Sequence, residues 1–132
     1  MPKNKSHYRV SLSDAINAHE EALRLGGRNG IRDLTLLQSA IGRPYTGYYR
    51  FIYQKAAALL HSLAANHGFV DGNKRTALLT LHILLDRSGY TINAANDDAL
   101  QHDLETLILD VVMRQIDYEG LVAWMKARVR RK

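Results

Sequence analysis

The chain has 132 residues and 46% hydrophobic content, which allows one domain with a real core and leaves no room for a second. It contains no cysteine, which excludes disulfides, thiolate metal sites and thiol catalysis. The net charge of +5 gathers at the two ends, because residues 11–125 hold 10 bases against 13 acids and carry −3 on their own.

Lys3, Lys5 and Arg9 make residues 1–10 basic, with no acid among them. No apolar signal segment follows, and no apolar run is long enough to span a bilayer, so a cytoplasmic protein is expected. Ser11-Leu12-Ser13-Asp14 reads as a helix start with a capping-box acid. Leu12, Ala15, Ile16, His19, Ala22 and Leu23 then recur at helical spacing until Gly26-Gly27 stops the helix. His19 falls on that apolar stripe and is read as a hydrogen-bonded histidine at the core edge. A short second helix starts at Asp33 or Thr35 and ends at Gly42 and Pro44. The loop Tyr45-Thr46-Gly47-Tyr48-Tyr49-Arg50 is aromatic and Gly-broken, which makes Tyr45, Tyr48 and Tyr49 candidates for a contact surface. Residues 50–66 are apolar almost all round, the pattern of a central buried helix.

The densest chemistry follows in His67-Gly68-Phe69-Val70-Asp71-Gly72-Asn73-Lys74-Arg75. Helix N-termini carry unpaired N–H groups and partial positive charge, so Lys74 and Arg75 in a first turn sit at the unfavourable end, by roughly 0.3–1 kcal/mol each. A bound anion reverses that cost. Backbone N–H groups, dipole, ammonium and guanidinium together describe a phosphate site, with Gly72 and Asn73 allowing close approach of the backbone. Asn73 is also read as the N-cap, accepting from Arg75 or Thr76 N–H. Asp71 is a candidate Mg²⁺ ligand. His67 is a candidate general base.

The second central helix runs from Asn73 to Ser88 and Gly89 ends it. Tyr90-Thr91-Ile92-Asn93 is a short extended segment, either irregular or paired with the aromatic loop. Asn93 or Asn96 caps a fifth helix, and Asp117 caps a sixth that runs to about Val129. Lys126, Arg128, Arg130, Arg131 and Lys132 form a second basic end. Both ends, 1–10 and 126–132, are expected to be frayed and solvated, in preference to a nucleic-acid-binding role. The fold class is all-α: a single compact bundle over 1–132, of about six helices with two buried at the centre.

His67-x-Phe69-x-Asp71-Gly72-Asn73-Lys74-Arg75 resembles the signature of the Fic/Doc superfamily in its Doc ("death on curing") form, with weaker similarity over most of the chain. The resemblance implies that the aromatic loop is a short β-hairpin-like flap that aligns a target segment. It implies an enzyme that phosphorylates a protein hydroxyl from ATP with Mg²⁺, a target of the translation elongation factor class, and growth arrest. His67, Asp71, Lys74 and Arg75 would be catalytic, Gly72 to Arg75 would hold the nucleotide, and Asp71 would hold the metal. Adenylylating members have Gly where Lys74 stands and a second Arg where Leu78 stands, so this chain resembles the phosphorylating branch. The self-inhibiting pattern [Ser/Thr]-x-x-x-Glu-[Gly/Asn] is missing: Glu119-Gly120 is preceded at the required spacing by Gln115. Inhibition is therefore expected in trans, from a small antitoxin. The alternatives are a protein adenylyltransferase, a metal phosphohydrolase built on His102-Asp103, and a non-catalytic protein- or nucleic-acid-binding module.

Overall fold

The computed structural model describes residues 7–132, so the expectation for Lys3 and Lys5 lies outside the described residues. Six α-helices follow in chain order: α1 Leu12–Ala22, α2 Leu34–Gly42, α3 Ile52–Asn66, α4 Asn73–Arg87, α5 Asp97–Val112 and α6 Tyr118–Arg128. Short 3₁₀ turns, Leu23–Leu25 and Arg43–Tyr45, extend α1 and α2. Two strands, β1 Tyr90–Ile92 and β2 Val129–Arg131, complete the all-α bundle.

The helix starts follow from local side-chain chemistry. Ser11 Oγ accepts from Asp14 N–H at 3.1 Å while Asp14 Oδ2 accepts from Ser11 N–H at 2.9 Å, a reciprocal box that satisfies two orphan donors. Asp33, Asn96 and Asp117 cap α2, α5 and α6 by the same N3 pattern, at 3.0, 2.8 and 2.8 Å.

Helix α3 is the axis of the bundle and packs against α2, α4, α5 and α6. Its run Ala56-Ala57-Ala58-Leu59-Leu60 is wholly buried, as an all-round apolar helix must be. Its alanines let neighbours approach closely, and Leu81, Leu84, Leu104, Leu107, Leu121 and Met125 fill the space around them. Helix α1 lies on the other side of α4. Asp14, nearly buried, binds Tyr8 Oη at 2.6 Å and Arg87 at 3.3 Å, tying α1 to the end of α4. Burial alone would push the Asp14 carboxyl up; the hydrogen bonds from Ser11 and Tyr8 bring it below the usual range.

Four expectations are corrected here. Residues 126–132 are not frayed: they end α6 and form β2, which pairs antiparallel with β1 in the register Tyr90↔Arg131, Thr91↔Arg130, Ile92↔Val129. Val129 is buried, and the basic side chains fold back onto the helix end. Arg130 donates to the carbonyls of Lys126 and Ala127, and Arg128 stacks on Trp124 with its guanidinium 4.3 Å from the ring centre. Cations at a helix C-terminus oppose the dipole, so charge that looked like a tail is structural. The extended segment at residue 90 accordingly pairs with the C-terminus and not with the aromatic loop. That loop in turn forms no hairpin: after the turn Arg43–Tyr45 it continues as bends to the start of α3, where Gln54 Oε1 accepts from Arg50 and Phe51 N–H, both at 3.0 Å. Of residues 1–10, the described part is held in place, with Tyr8 N–H on Ser88 Oγ at 2.9 Å and Val10 N–H on Tyr45 Oη at 2.8 Å.

Among the described residues, no helix is long and apolar enough to cross a membrane.

His7, His61 and His82 are each pushed below the ordinary histidine value, chiefly by desolvation; Lys55 adds to the effect at His7 and Arg43 at His61. A group depressed in the fold binds its proton more readily when unfolded, so its contribution to stability is present above about pH 6.5 and is lost as pH falls through its folded value. Urea unfolding midpoints are therefore expected to drop between pH 7 and 5, before most carboxylates protonate. The drop should be shallower in His61→Gln; an unchanged slope in that variant would contradict the assignment.

Candidate active site

The candidate site is the six-residue connection 67–72 between α3 and α4, together with the first turn of α4. His67 ends α3 in the left-handed region, at φ 50° and ψ 49°, which turns the chain sharply out of the helix. The exposed Arg32 stabilises that turn from outside: its Nε donates to His67 O at 2.8 Å and its Nη2 to Asn66 O at 3.3 Å. A guanidinium on the final carbonyls of a helix satisfies orphan acceptors and opposes the dipole. Gly68 O accepts from Arg32 and Asp33 N–H at 2.9 and 3.1 Å, and Val70 N–H donates to Gly30 O at 3.0 Å. A Cβ at Gly68 would stand 2.9 Å from Leu37 Cβ and 3.1 Å from Leu37 Cα, so only glycine lets the loop press onto α2.

Phe69 plugs the loop into the core with 2% of its surface exposed. The ring of His19 stacks on it in parallel, with centroids 3.8 Å apart and planes at 6°. His19 Nε2 also lies 2.8 Å from Asp71 O. A carbonyl only accepts, so Nε2 carries the proton. His19 is thus the buried, hydrogen-bonded histidine the stripe implied, and it belongs to the foundation of the site.

Asn73 corrects the expected N-cap. It is the first helical residue, and the cap position belongs to Gly72, at φ 76°, with no side-chain cap. The Asn73 amide turns back instead, accepting from Phe69 N–H and donating to Phe69 O, both at 3.0 Å. Thr76 Oγ1 bonds to Gly72 O at 2.8 Å. A helix whose N-terminus is left without a side-chain cap offers its first N–H groups to a ligand.

Asp71 is exposed, and its carboxylate accepts from Gly72 N–H at 2.8 Å and Arg28 N–H at 3.1 Å. These bonds, led by the one from Arg28, hold it below the usual carboxylate range, so it stays ionised at neutral pH. Lys74 and Arg75 are both exposed on the first turn of α4. Arg75 Nη1 reaches Ala22 O, at the end of α1, at 3.3 Å. His67, Asp71, Gly72, Asn73, Lys74 and Arg75 line one open cleft of about 550 Å³.

Leu25, Gly26 and Gly27 close the other wall of that cleft. Sequence reasoning took this glycine-rich turn only as a helix stop. A Cβ at Gly27 would stand 3.1 Å from Asp71 Oδ2, and the next residue, Arg28, binds that carboxylate through its backbone. The signal was a Gly-Gly pair followed at once by a cation, too short a pattern to point at Asp71 across forty residues of chain.

The tyrosines divide. Tyr45 is a structural residue, donating to Tyr8 O at 2.7 Å while accepting from Val10 N–H. Tyr49 Oη accepts from Arg43 Nε at 2.9 Å. Tyr48 alone is freely presented, 86% exposed. His102 and Asp103 are exposed on α5, and no group of three or more His, Asp or Glu poised to hold a metal exists among the described residues. Asp71 therefore offers one ionised carboxylate. That suits a Mg²⁺ ion carried largely by phosphate oxygens, which commonly uses one or two carboxylates, and does not make an all-protein cage.

Comparison with known proteins gives the family. The Fic/DOC family model matches residues 9–85, which include α1, the glycine-rich turn and the whole 67–75 segment. A similar relative, "Toxin Doc" of Mycolicibacterium smegmatis, is 36% identical over 107 residues, covering 77% of this chain and 80% of that protein.

Replacing His19 with Phe keeps a ring against Phe69 and removes the N–H given to Asp71 O. Leaving that carbonyl unpaired should cost about 1–3 kcal/mol in denaturant unfolding. A loss below about 0.5 kcal/mol would mean that stacking alone holds the loop.

Proposed function

The chain belongs to the Fic/DOC family, and we propose that it is a growth-arresting toxin that transfers the terminal phosphoryl group of ATP to a hydroxyl of a target protein. The observation that carries this reading is the single cleft shared by His67, the Asp71 carboxylate and the Lys74–Arg75 turn of α4. A base, an ionised acid and a cationic helix start within one water-accessible cleft are the parts that phosphoryl transfer asks of a protein.

In this reading the α4 N-terminus binds the phosphates through its backbone N–H groups, and Lys74 and Arg75 neutralise their charge. Gly27 keeps the approach open, since a side chain there would crowd Leu23 and Asp71, and Gly72 holds a left-handed φ of 76° that a side chain would strain. Mg²⁺ on Asp71 would screen the phosphate oxygens further. His67 takes the proton of the target hydroxyl as its oxygen bonds to the terminal phosphorus and the bond to ADP breaks. The products are ADP, a phosphoprotein and a proton. Most of the rate comes from positioning and from fixed positive charge, which explains why the loop is so thoroughly anchored. Lys74 favours phosphoryl over adenylyl transfer, because it adds a second charge where adenylylating relatives keep a glycine. The target class carried over from the family resemblance is a translation elongation factor.

A partner is part of the same proposal. No self-inhibiting motif accompanies the site, and a groove of about 880 Å³ runs from Lys74 and Arg75 along Leu78, Leu79, Leu104 and Ile108. Its apolar floor and its entrance beside the site suit a helix of a small antitoxin, inhibiting in trans.

The test uses purified protein, Mg²⁺, a cell lysate and ATP labelled on either the γ- or the α-phosphate. Protein labelling is expected from the γ sample alone, reduced at least about 100-fold in His67→Ala. Labelling from the α sample would mean nucleotidyl transfer and overturn the role given to Lys74.

A further inference from the structure

A second cleft, of about 530 Å³, lies on the other side of the α3 C-terminus and is lined by Ser39, Gly42, Arg43, Thr46, Ser62 and Asn66. Arg43 is its centre. The Nε of Arg43 donates to Tyr49 Oη at 2.9 Å, and its Nη1 donates to Ser62 Oγ at 2.9 Å and to His61 Nδ1 at 3.1 Å. An arginine only donates, so His61 presents its lone pair and keeps its proton on Nε2. The guanidinium also lies over the rings of Tyr49 and Tyr118, 5.5 and 5.3 Å from their centres. Three neutral acceptors and two rings thus fix its position, yet none of them carries a negative charge.

That imbalance is the informative feature. Among the described residues Arg43 takes part in no ion pair, and residues 1–6 contain no acid that could supply one. Its Nη2 makes no hydrogen bond among the described residues. A half-buried guanidinium normally has a carboxylate or phosphate for its fork. Here the fork is held rigid by neutral partners and left with an open side in a cleft otherwise lined by hydroxyls and an amide.

We propose that Arg43 is a specificity site that takes an acidic side chain of the protein substrate, near the hydroxyl presented to His67. This rests on the transfer reading above. Asn66 lines the Arg43 cleft and His67, the next residue, lines the phosphate cleft, so the two clefts flank one turn of chain. The phosphate cleft has its own cations. A polypeptide whose hydroxyl reaches His67 must leave on a side not filled by nucleotide, and the Arg43 cleft is adjacent. Its hydroxyls and amide suit a peptide backbone, and its single unneutralised charge suits one carboxylate. Tyr48, exposed beside Tyr49, extends the contact.

The test needs no known target. Amide spectra of ¹⁵N-labelled protein are titrated with three probes: capped aspartate, capped asparagine and inorganic phosphate. Capped aspartate should shift Ser39, Thr46 and Ser62, with capped asparagine at least tenfold weaker, while phosphate shifts Gly72 to Arg75. Arg43→Gln should remove the aspartate response and keep the phosphate response. Arg43→Lys keeps charge without the fork, should weaken aspartate at least threefold, and decides the matter if the Gln variant fails to fold. Equal responses to the two capped residues would overturn the proposal, as would phosphate binding at Arg43 more tightly than aspartate. If aspartate binds through Arg43 while labelling from ATP fails, the acid site stands and only the transfer reading falls. If labelling succeeds, Arg43→Lys must raise the KM for the target protein with kcat and the KM for ATP unchanged; an unaltered KM for the target would sink the role in specificity.

Discussion

His19 joins two things that the site needs at once. Its ring lies flat on Phe69, which anchors the loop in the core, and its N–H holds the carbonyl of Asp71, which fixes the direction of the chain just before α4. Both contacts come from one buried side chain on α1, so α1 and α4 cannot shift against each other without moving the carboxylate and the helix start together. The rest of the loop is built around that point. Arg32 and Asp33 hold Gly68 from the α2 side, Gly30 holds Val70, and the Asn73 amide closes the loop onto Phe69. The result is a loop in which eight of the twelve backbone N–H and C=O groups of residues 67–72 have a partner, which restrains a short irregular segment.

The two central helices meet this loop with opposite ends, and the sequence treats those ends differently. The C-terminus of α3 receives Arg32 on its last carbonyls, a stabilising arrangement for the helix itself. The N-terminus of α4 has no side-chain cap and carries Lys74 and Arg75, an unfavourable arrangement for the isolated helix. The chain has good capping residues elsewhere and uses them: Ser11, Asp33, Asn96 and Asp117 all cap their helices. Helix α4 begins without such a cap, because the amide of Asn73 beside it is spent on Phe69, and its first turn therefore faces the cleft with its N–H groups and cations uncapped.

How much of this was legible in the sequence depends on whether the information was local. Helix starts with Ser, Asp or Asn caps could be read directly, as could the buried α3, because capping and all-round apolarity are short-range patterns. The candidate-site stretch stood out in the sequence for the same reason: its His, Asp and cations fall within nine consecutive residues, which the fold gathers in one cleft. The errors came from pairings between distant segments. Nothing within residues 126–132 says that Val129 meets Ile92, so a short basic run looked like a solvated tail. Nothing around Tyr45 says that its hydroxyl bridges the backbone at residues 8 and 10, so it looked like a contact surface. Gly27 and Arg28 were missed because their partner, Asp71, lies across the whole of α2 and α3. Asn73 shows the subtler failure, in which the residue type was right for a cap but a competing local acceptor and donor, the two backbone groups of Phe69, claimed the same amide.

The same contrast separates positive charge that belongs to the fold from positive charge that is left over. Arg128 and Arg130 spend their guanidinium groups on the end of α6, Arg87 meets Asp14, and Lys132 meets Asp86. Net charge at the C-terminus therefore says little about partners once the fold has used it. Lys74, Arg75 and Arg43 are among the cations that form no ion pair within the described residues, and these three line the clefts at the α3–α4 connection. They also stand on the two sides of the Asn66–His67 turn, where the candidate base emerges. Positive charge without a carboxylate partner therefore borders His67 from both sides. In the proposed reading an anionic phosphate on one side and an acidic protein segment on the other would meet that charge, with His67 between them.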